Sequence, residues 1–455
     1  MRDLRKKALL ESQKTVSRKA RNRPESARSS VNQSPDVSPS NSRAPSRANS
    51  RPNSRPGSRY ASEDEGASDD EYDVMTLGTN SASGDDVTGD DANNTWVERL
   101  QDRVGELQDR RRNLQGREET LAAYLHIVRY HFSENQIGRF SSEIIPALLR
   151  SVREGAGTEE RLLALKAIMV TLLTCPSEKF ATILLSTLKG VCQDAEEEGV
   201  KVQAIYALMV AATYGGGDDV GGEELLDFFH EIVESDGESM DAGNSGAVVA
   251  AALRAWVFIA SFLDDMADRG EHVMDAFIEQ LDSSDPEVQS SAGTNIAFLF
   301  EAARDHEKET GESSEMQHNM YRIMTRMGEI VRDSSKSISK RDRKQLRFNF
   351  NSIITSLERG VGPGYSTAGR GYNPHVGGAK ARIQDGFAEF GHKETLRVQN
   401  EVLLIDTWLL HVRVEVLKML LGGGLATHYV ENPVVRDMLE TAEVNFVSTG
   451  IDRKS

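Results

Sequence analysis

The sequence predicts an all-α protein: a HEAT or armadillo-like α-solenoid with a disordered N-terminal arm and a C-terminal helical extension. Three observations indicate this fold class. Similar apolar segments recur about every 40 residues, segments with helical apolar spacing lie between them, and alternating strand patterns are nearly absent. We expect a basic Ser/Arg-rich arm with an acidic patch over residues 1–92, helical repeats over 93–332, and a basic helix, a glycine-rich loop and closing helices over 333–455.

The arm is predicted to be disordered because its Ser, Arg, Pro and Asn residues offer no apolar face to bury. Residues 1–59 carry 15 Lys and Arg against 4 Asp and Glu, whereas residues 60–91 carry 11 Asp and Glu and no Lys or Arg. Ser-Arg repeats can bind phosphate groups and can themselves be phosphorylated. The phosphorylation candidates precede proline or lie beside acidic residues: Ser34, Ser38, Ser62 and Ser68. The alternative is an unspecific basic tail.

The repeats of the body are visible in five similar segments. They begin at residues 124, 166, 206, 254 and 294 and read YLHIVRY, KAIMVTL, YALMVAA, RAWVFIA and TNIAFLF. This spacing matches a two-helix HEAT unit of about 40–47 residues. Partner helices are predicted around Ile144, Leu184, Leu225 and Val273. Asp285 can cap a helix that starts at Pro286. Solenoids expose long surfaces that serve recognition more often than catalysis.

No motif indicates an enzyme, a cofactor or a metal site. The glycine triplets at 215–217 and 422–424 follow no predicted strand and lack Gly-Lys-Ser/Thr, so we expect them to end helices. Cys175 and Cys192 lie in apolar segments, which predicts buried thiols in a reducing compartment. No apolar run suggests a membrane span or a secretory signal. We expect a non-enzymatic, cytoplasmic protein, with entry into the nucleus left open.

A basic segment stands out in this chain of net charge −17, because residues 332–397 carry 13 Lys and Arg against 6 Asp and Glu. A helix that begins near Ser339 would have two faces. Its apolar face would pack through Leu346, Phe350, Ile353, Ile354 and Leu357. Its basic face would meet phosphate through Lys340, Arg343, Lys344 and Arg347. The predicted phosphate- or RNA-binding residues are Lys336, Lys340, Arg341, Arg343, Lys344, Arg347, Arg370, Lys380 and Arg382.

The glycine-rich stretch after this helix interleaves stacking and phosphate-binding groups with glycines. These groups are Tyr365, Arg370, Tyr372 and His375. Two alternatives stay open: the stretch is merely a mobile loop, and the basic helix forms an internal salt-bridge surface against the acidic repeats. Further along, Trp408 is predicted to fill the core of the closing helices, together with Leu403, Leu404, Leu409 and Leu417.

The order of basic arm, acidic patch, HEAT-like body and basic helix resembles the interferon-related developmental regulator family. The helix start is similar to the family's Ser-Lys-x-Asp-Arg-Lys-x-x-Arg-x-x-Phe block, with matches at Ser339, Lys340, Asp342, Arg343, Lys344, Arg347 and Phe350. Residues 401–438 resemble its closing block, with matches at Asp406, Trp408, Leu421, Gly422, Gly424, His428, Asn432, Arg436 and Asp437.

This resemblance implies a non-enzymatic regulator. Members of the family act as transcriptional co-regulators, and as factors that occupy translationally idle ribosomes with C-terminal elements in tRNA and mRNA positions. The charge distribution agrees better with ribosomes, because an acidic protein would touch ribosomal RNA only through its basic arm and its basic C-terminal segment. We expect ribosomal RNA and ribosomal proteins as partners, or transcription-regulatory proteins in the alternative, and neither a membrane nor a small-molecule substrate.

Overall fold

The computed structural model describes most of the chain between Asp90 and Phe446. The described residues are 75–76, 90–215, 219–263, 266–311, 318–333, 339–367, 382–384 and 387–446. Residues 68–455 form one compact unit, which contains all of them. The other unit, residues 1–67, lies outside the described residues, and so do most of the predicted arm and its four candidate serines.

The described helices follow one another mostly in pairs. Their bounds are α1 Asp90–Gln108, α2 Leu114–Tyr130, α3 Glu134–Ile137, α4 Ser141–Glu154, α5 Thr158–Thr174, α6 Ala181–Asp194, α7 Glu198–Tyr214, α8 Asp219–Glu234, α9 Gly246–Ala260, α10 Met266–Gln280, α11 Pro286–Thr310, α12 Met320–Asp333, α13 Lys340–Arg359, α14 Trp408–Leu421, α15 Leu425–Glu431 and α16 Pro433–Met438.

The paired helices form two layers. In the inner layer each helix contacts the next one along the series α2, α5, α7, α9, α11 and α13. The outer helices α1, α4, α6, α8, α10 and α12 each pack against the inner helix that follows them. The five repeated segments lie in the inner helices α2, α5, α7, α9 and α11, and the predicted partner segments lie in outer helices. The predicted α-solenoid is therefore confirmed, and α12 with α13 adds a further helix pair.

Local sequence fixes where these helices begin and end. The Asp285 carboxylate accepts hydrogen bonds from the backbone N–H groups of Glu287 at 2.7 Å and Val288 at 3.4 Å, with Pro286 in the first helical position, as predicted. Helix α7 ends at Gly215, as predicted. Both cysteines are buried, and burial raises the pKa of Cys175 to about 12.

One buried lysine joins two helix ends. The Lys201 ammonium donates to the carbonyl oxygens of Cys192 at 3.2 Å, Gln193 at 2.8 Å and Met240 at 2.6 Å. The first two carbonyls belong to the last turn of α6, where backbone acceptors lack helical partners. A cation at a helix C-terminus also faces the negative end of the helix dipole. Lys201 therefore holds α6, α7 and the turn at Met240 together.

Short strands accompany the C-terminal helices. Their bounds are β1 Met75–Thr76, β2 Tyr365–Thr367, β3 Arg382–Gln384, β4 Phe387–His392, β5 Thr395–Val398, β6 Glu401–Leu404 and β7 Glu443–Phe446. One sheet has the order β1-β5-β6-β7, with β1 parallel to β5 and the other pairs antiparallel. The second sheet is antiparallel with the order β2-β4-β3.

Two of these strands correct the sequence analysis. Leu403 and Leu404 lie in β6 and not on a helix, although Leu403 is buried as expected. Strands β5 and β6 form a hairpin whose turn is Gln399–Asn400, with Gln399 in the left-handed region at φ 51°. Two-residue hairpin turns are usually recognised in a sequence from Asn-Gly or Asp-Gly at these positions. A Gln-Asn pair gives a weak signal, and the hairpin was missed for this reason.

Candidate nucleic-acid interface

Helix α13 carries the predicted basic face, and its own sequence fixes its start and its buried side. The Ser339 hydroxyl accepts a hydrogen bond from the Asp342 backbone N–H at 3.2 Å and donates one to the Asp342 carboxylate at 2.7 Å, which caps the helix. The predicted apolar face is confirmed, because Leu346, Phe350, Ile353 and Leu357 are buried and Ile354 is half-buried against the core. Phe350 and Ile353 approach Gly293 of α11.

The basic side chains of α13 differ in exposure. Arg341, Lys344 and Arg347 are exposed, and the Arg347 Nε donates to the carbonyl oxygen of Val331 on α12 at 3.2 Å. Arg343 is half-buried, and its Nε is buried without a hydrogen-bond partner. The placement of Arg343 on the binding face stays a prediction, although Arg343 is less exposed than its neighbours Asp342 and Lys344. Arg343 lies seven residues before the buried Phe350, and two helical turns return a side chain to nearly the same side.

The remaining predicted binding residues cannot be placed by their side chains. Lys340 begins α13 and Arg382 begins β3, but only their backbone is described. Lys336, Arg370 and Lys380 lie outside the described residues, as do Tyr372 and His375 of the glycine-rich stretch. The described part of the predicted interface therefore consists mainly of α13.

The side of α13 that faces away from α11 and α12 is here termed the open flank. It exposes Arg341, Lys344, Gln345, Phe348 and Asn351. Phe348 is 46% exposed, and the sequence analysis did not select it. The available signal was an apolar residue at a position that the helical period assigns to the polar face. The open flank thus places an aromatic ring among basic side chains.

Strands β2 and β4 adjoin the same flank. The Gly364 backbone N–H donates to the Ser352 hydroxyl of α13 at 2.9 Å, and Ser352 lies one turn after Phe348. Tyr365 pairs with His392 across β2 and β4, and their rings meet edge to face with centroids 5.1 Å apart. The predicted stacking residue Tyr365 therefore lies in a strand that is attached to α13 next to the strand's start.

The C-terminal end of α13 is attached to the start of α14. The Trp408 indole N–H donates to the Ser356 hydroxyl at 2.7 Å, and Trp408 is buried as predicted. The Glu301 carboxylate of α11 accepts hydrogen bonds from the backbone N–H groups of Trp408 at 2.7 Å and Leu409 at 3.2 Å. Burial raises the pKa of Glu301 to about 7, and these two N–H groups oppose the rise. Glu301 thus caps a helix distant in sequence.

The C-terminal helices then run along the inner layer and bind the ends of its helices. The His428 Nε2 donates to the Val128 carbonyl oxygen of α2 at 3.1 Å, and the Asn432 side chain donates to the Leu173 carbonyl oxygen of α5 at 3.1 Å. The Arg413 guanidinium donates to the carbonyl oxygen of Ser261, the cap residue of α9. Backbone carbonyls at helix C-termini lack helical partners, so these side chains satisfy them.

Close backbone contact completes this attachment. The Arg129 guanidinium donates to the Met419 carbonyl oxygen at 2.8 Å. A Cβ at Gly424 would collide with the Arg129 carbonyl oxygen, and Gly422 adopts a left-handed φ of 51° after the end of α14. The glycine triplet ends the helix, as predicted. Its glycines also allow the chain to approach α2 closely.

A cavity of about 290 Å³ lies between the inner layer and α14, with Tyr206, Arg254, His411 and Glu415 in its wall. Its charged groups are engaged with one another or with neighbours. His411 pairs with Glu394 at 2.7 Å, and Glu415 with Lys418 at 2.8 Å. Burial alone would lower the pKa of His411, but the Glu394 carboxylate holds it above its ordinary value. The His411–Glu394 pair attaches α14 to the turn between β4 and β5, whereas the Glu415–Lys418 pair lies within α14.

Within the described part of the chain, no three His, Cys, Asp or Glu side chains are grouped so that they could hold a metal ion. None of the described helices has the length and apolar character that crossing a bilayer requires.

Comparison with known proteins gives a consistent result. The family model for interferon-related developmental regulators matches residues 66–358, which include the start and most of α13. The chain is 23% identical to an uncharacterized protein of Schizosaccharomyces pombe, over 76% of this chain and 74% of that protein. It is 24% identical to interferon-related developmental regulator 2 of Mus musculus, over 66% of this chain and 63% of the mouse protein. Interferon-related developmental regulator 1 of Sus scrofa is 21% identical, over 46% of this chain and 39% of the pig protein.

Proposed function

The chain belongs to the interferon-related developmental regulator family, and we propose that it is a non-enzymatic regulator that associates with translationally inactive ribosomes. The observation that carries this proposal is the exposed basic surface of α13, with Arg341, Lys344 and Arg347 within two helical turns. The cytoplasm is the proposed location, and ribosomal RNA with ribosomal proteins is the proposed partner.

Charge supports this surface as the contact. A chain of net charge −17 is repelled by the phosphates of RNA, unless basic groups are concentrated at the point of contact. The alternative of an internal salt-bridge surface is not favoured by the side chains that can be placed. Arg341 and Lys344 are exposed, and Arg347 donates to a backbone carbonyl of α12.

Packing also supports the last helix pair, α12 and α13, as the contact surface. The inner layer of a solenoid is an extended surface suited to recognition. Here α14, α15 and α16 occupy part of that layer, through contacts with α2, α5, α9 and α11. A large partner would therefore meet other surfaces, and the last helix pair offers the basic one. The solenoid fold and the chain's membership of this family also favour recognition over catalysis.

Cosedimentation with ribosomes on a sucrose gradient tests the proposal. The full chain should migrate with ribosomes at low salt and leave them at high salt. The triple variant Arg341→Gln, Lys344→Gln and Arg347→Gln should remain folded by circular dichroism and lose this association. If each charge contacts one phosphate, the slope of log affinity against log salt should decrease by about 0.7–0.9 per charge removed.

A matched control removes three exposed charges elsewhere. Arg139→Gln, Arg153→Gln and Lys179→Gln change the net charge equally on other parts of the solenoid. This control should still cosediment with ribosomes. Equal loss in both triple variants would mean that net charge alone matters, which contradicts a specific basic surface. Wild-type protein in nuclei with no ribosome association would favour the alternative, a transcriptional co-regulator that binds regulatory proteins.

A further inference from the structure

The cleft between the inner layer and α14 brings together polar groups from distant parts of the chain. Its volume of about 290 Å³ lies near the lower end of the range for small-molecule sites, about 300–1,000 Å³. Its wall contains Arg254 of α9, Asn349 of α13, and His411 and Glu415 of α14. The basic surface proposed to contact ribosomes includes none of these side chains, so the cleft calls for a role of its own.

Hydrogen bonds and an ion pair hold the wall of the cleft in a fixed shape. The Asn349 amide donates to the Ser290 hydroxyl at 2.7 Å, which joins α13 to α11. The Thr294 hydroxyl donates to the Ser290 carbonyl oxygen at 3.1 Å. On α14, the pair of His411 with Glu394 fixes another part of the wall. A site that is formed before its ligand arrives loses less free energy to ordering when the ligand binds.

The charged groups of the cleft keep capacity for a ligand. The Arg254 guanidinium carries several N–H donors, and it contacts the Tyr206 hydroxyl and the Glu287 carboxylate, both at 3.4 Å. These contacts are longer than a charge-assisted hydrogen bond of about 2.7–2.9 Å. The Glu415 carboxylate pairs with Lys418 at 2.8 Å through one oxygen, and its other oxygen can accept further hydrogen bonds. The side chains of Arg254 and Glu415 are 44% and 55% exposed, so a ligand can reach both.

The signs of these charges identify the class of ligand. Arg254 and Glu415 carry opposite charges in one wall, and the described contacts pair each of them with a different residue. Burial alone would raise the pKa of Glu415, but nearby cations, among them His411 and Arg254, hold it below its ordinary value, so the group is a carboxylate at neutral pH. An anionic ligand would be repelled by Glu415, and a cationic ligand by Arg254. A zwitterion meets an opposite charge at both positions.

The cleft also has an aliphatic part. It is formed by Val257 of α9 and by Val412, Val416 and Met419 of α14. The three residues of α14 follow one another at the spacing of a single helix face, beside Glu415. An aliphatic group of the ligand would bury apolar surface against them. Free α-amino acids with aliphatic side chains combine such a group with a carboxylate and an ammonium.

We propose that the cleft binds a free α-amino acid with an aliphatic side chain. Its carboxylate contacts Arg254, its ammonium contacts Glu415, and its side chain packs among the valines and Met419. The bound ligand joins α9 of the inner layer to α14. This inference goes beyond the proposed function and does not rest on it, because the cleft and its ligand need no ribosome.

Isothermal titration calorimetry on the full chain tests the proposal, with L-leucine as the probe. L-leucine should bind saturably, with one site per chain. Three analogues separate the contributions: 4-methylpentanoate lacks the ammonium, 3-methylbutylamine lacks the carboxylate, and N-acetyl-leucinamide is uncharged. Each should bind at least about 10-fold more weakly, because a charge-assisted hydrogen bond is lost. Glycine should also bind more weakly, because it has no side chain to bury.

Two variants assign the charged ends of the ligand. Arg254→Gln should weaken L-leucine binding about 10-fold or more and leave 3-methylbutylamine binding unchanged, because the amine has no carboxylate. Glu415→Gln should weaken L-leucine binding similarly and leave 4-methylpentanoate binding unchanged. Arg269→Gln is the matched control, because Arg269 lies on the outer helix α10 and pairs with Asp227 at 2.8 Å. This control should bind L-leucine like the wild type, and circular dichroism should show all three variants folded.

Several results would overturn the proposal. No saturation up to about 10 mM L-leucine would show that the cleft does not bind it. Equal affinity for N-acetyl-leucinamide or for 4-methylpentanoate would identify a site for neutral or anionic ligands. Unchanged L-leucine binding in both Arg254→Gln and Glu415→Gln would place the ligand elsewhere. These measurements contain no ribosomes, so their failure leaves the proposed function intact, and failure of cosedimentation leaves the assignment of the cleft intact.

Discussion

The replacement Glu301→Gln isolates the group that joins the solenoid to its C-terminal helices. Glu301 accepts hydrogen bonds from the first two backbone N–H groups of α14. Glutamine has the same shape and keeps a carbonyl oxygen as acceptor, so the cap can persist. What the replacement removes is the buried charge. Any change in stability therefore reports the cost of that charge.

The magnitude and its sign follow from the raised pKa. Burial lifts the pKa of Glu301 from 4.5 to about 7, so the folded state disfavours the carboxylate. Above pH 7 the group is charged in both states, and folding carries a cost of about 3 kcal/mol at 1.36 kcal/mol per pH unit. Between pH 7 and 4.5 the folded state takes up the proton first, and the cost disappears. The free energy of unfolding due to this group therefore increases as the pH falls.

Urea unfolding of wild type and Glu301→Gln between pH 4 and pH 8 measures this cost. We expect the variant to be more stable than wild type at pH 8, by up to about 3 kcal/mol, and nearly equal to it at pH 4. Glu301→Ala is the control, since it removes the acceptor as well. At pH 5 it should lose roughly 2 kcal/mol or more, because two backbone N–H groups lose their partner. A difference between wild type and Glu301→Gln that does not vary with pH would refute the reasoning.

Three further predictions concern buried groups. Trp408→Ala should destabilise the protein by roughly 3–5 kcal/mol in urea unfolding, because the ring is buried, and wild-type Trp fluorescence should shift on unfolding. Lys201→Met should cost about 3 kcal/mol in the same assay, because three carbonyl oxygens lose a charged donor; no change would mean that water replaces the ammonium. Burial lowers the pKa of His428 from 6.5 to about 4, so the unfolded state takes up the proton first. The free energy of unfolding therefore decreases as the pH falls from 6.5 to 4. His428→Gln should reduce that acid-side loss by about 3 kcal/mol, and an unchanged pH profile would contradict it.

The helical body could be predicted because its information is local and periodic. Each inner helix repeats an apolar segment at a HEAT spacing, and a residue such as Asp285 marks a start within four positions. The buried side of α13 was predicted for the same reason. Arg343 and Phe348 show the limit of this approach. The charged side chain of Arg343 is half-buried and the apolar side chain of Phe348 is exposed, so residue type and helical position disagree at both.

The attachment of the C-terminal helices could not be predicted from local patterns. His428 binds a carbonyl 300 residues away and Asn432 binds one 259 residues away. A histidine or asparagine in a short helix carries no sign of such a partner, because its donor is satisfied by folding of the whole chain. The resemblance to the family's closing block selected both residues without giving this reason. The structure supplies it: they bind the free carbonyls at the ends of α2 and α5.

These distant hydrogen bonds bear on how the protein could recognise a partner. Helices α2, α5 and α9 end with carbonyl groups that would otherwise need water, and His428, Asn432 and Arg413 satisfy one at each helix end. Displacing the C-terminal helices would leave these carbonyls and the Trp408 side chain without their partners, at a cost of several kcal/mol. A partner that used the inner layer would have to offset this cost. A partner that binds the open flank of α13 would not, and the attachment of α14 to Ser356 and Glu301 would hold that flank in place.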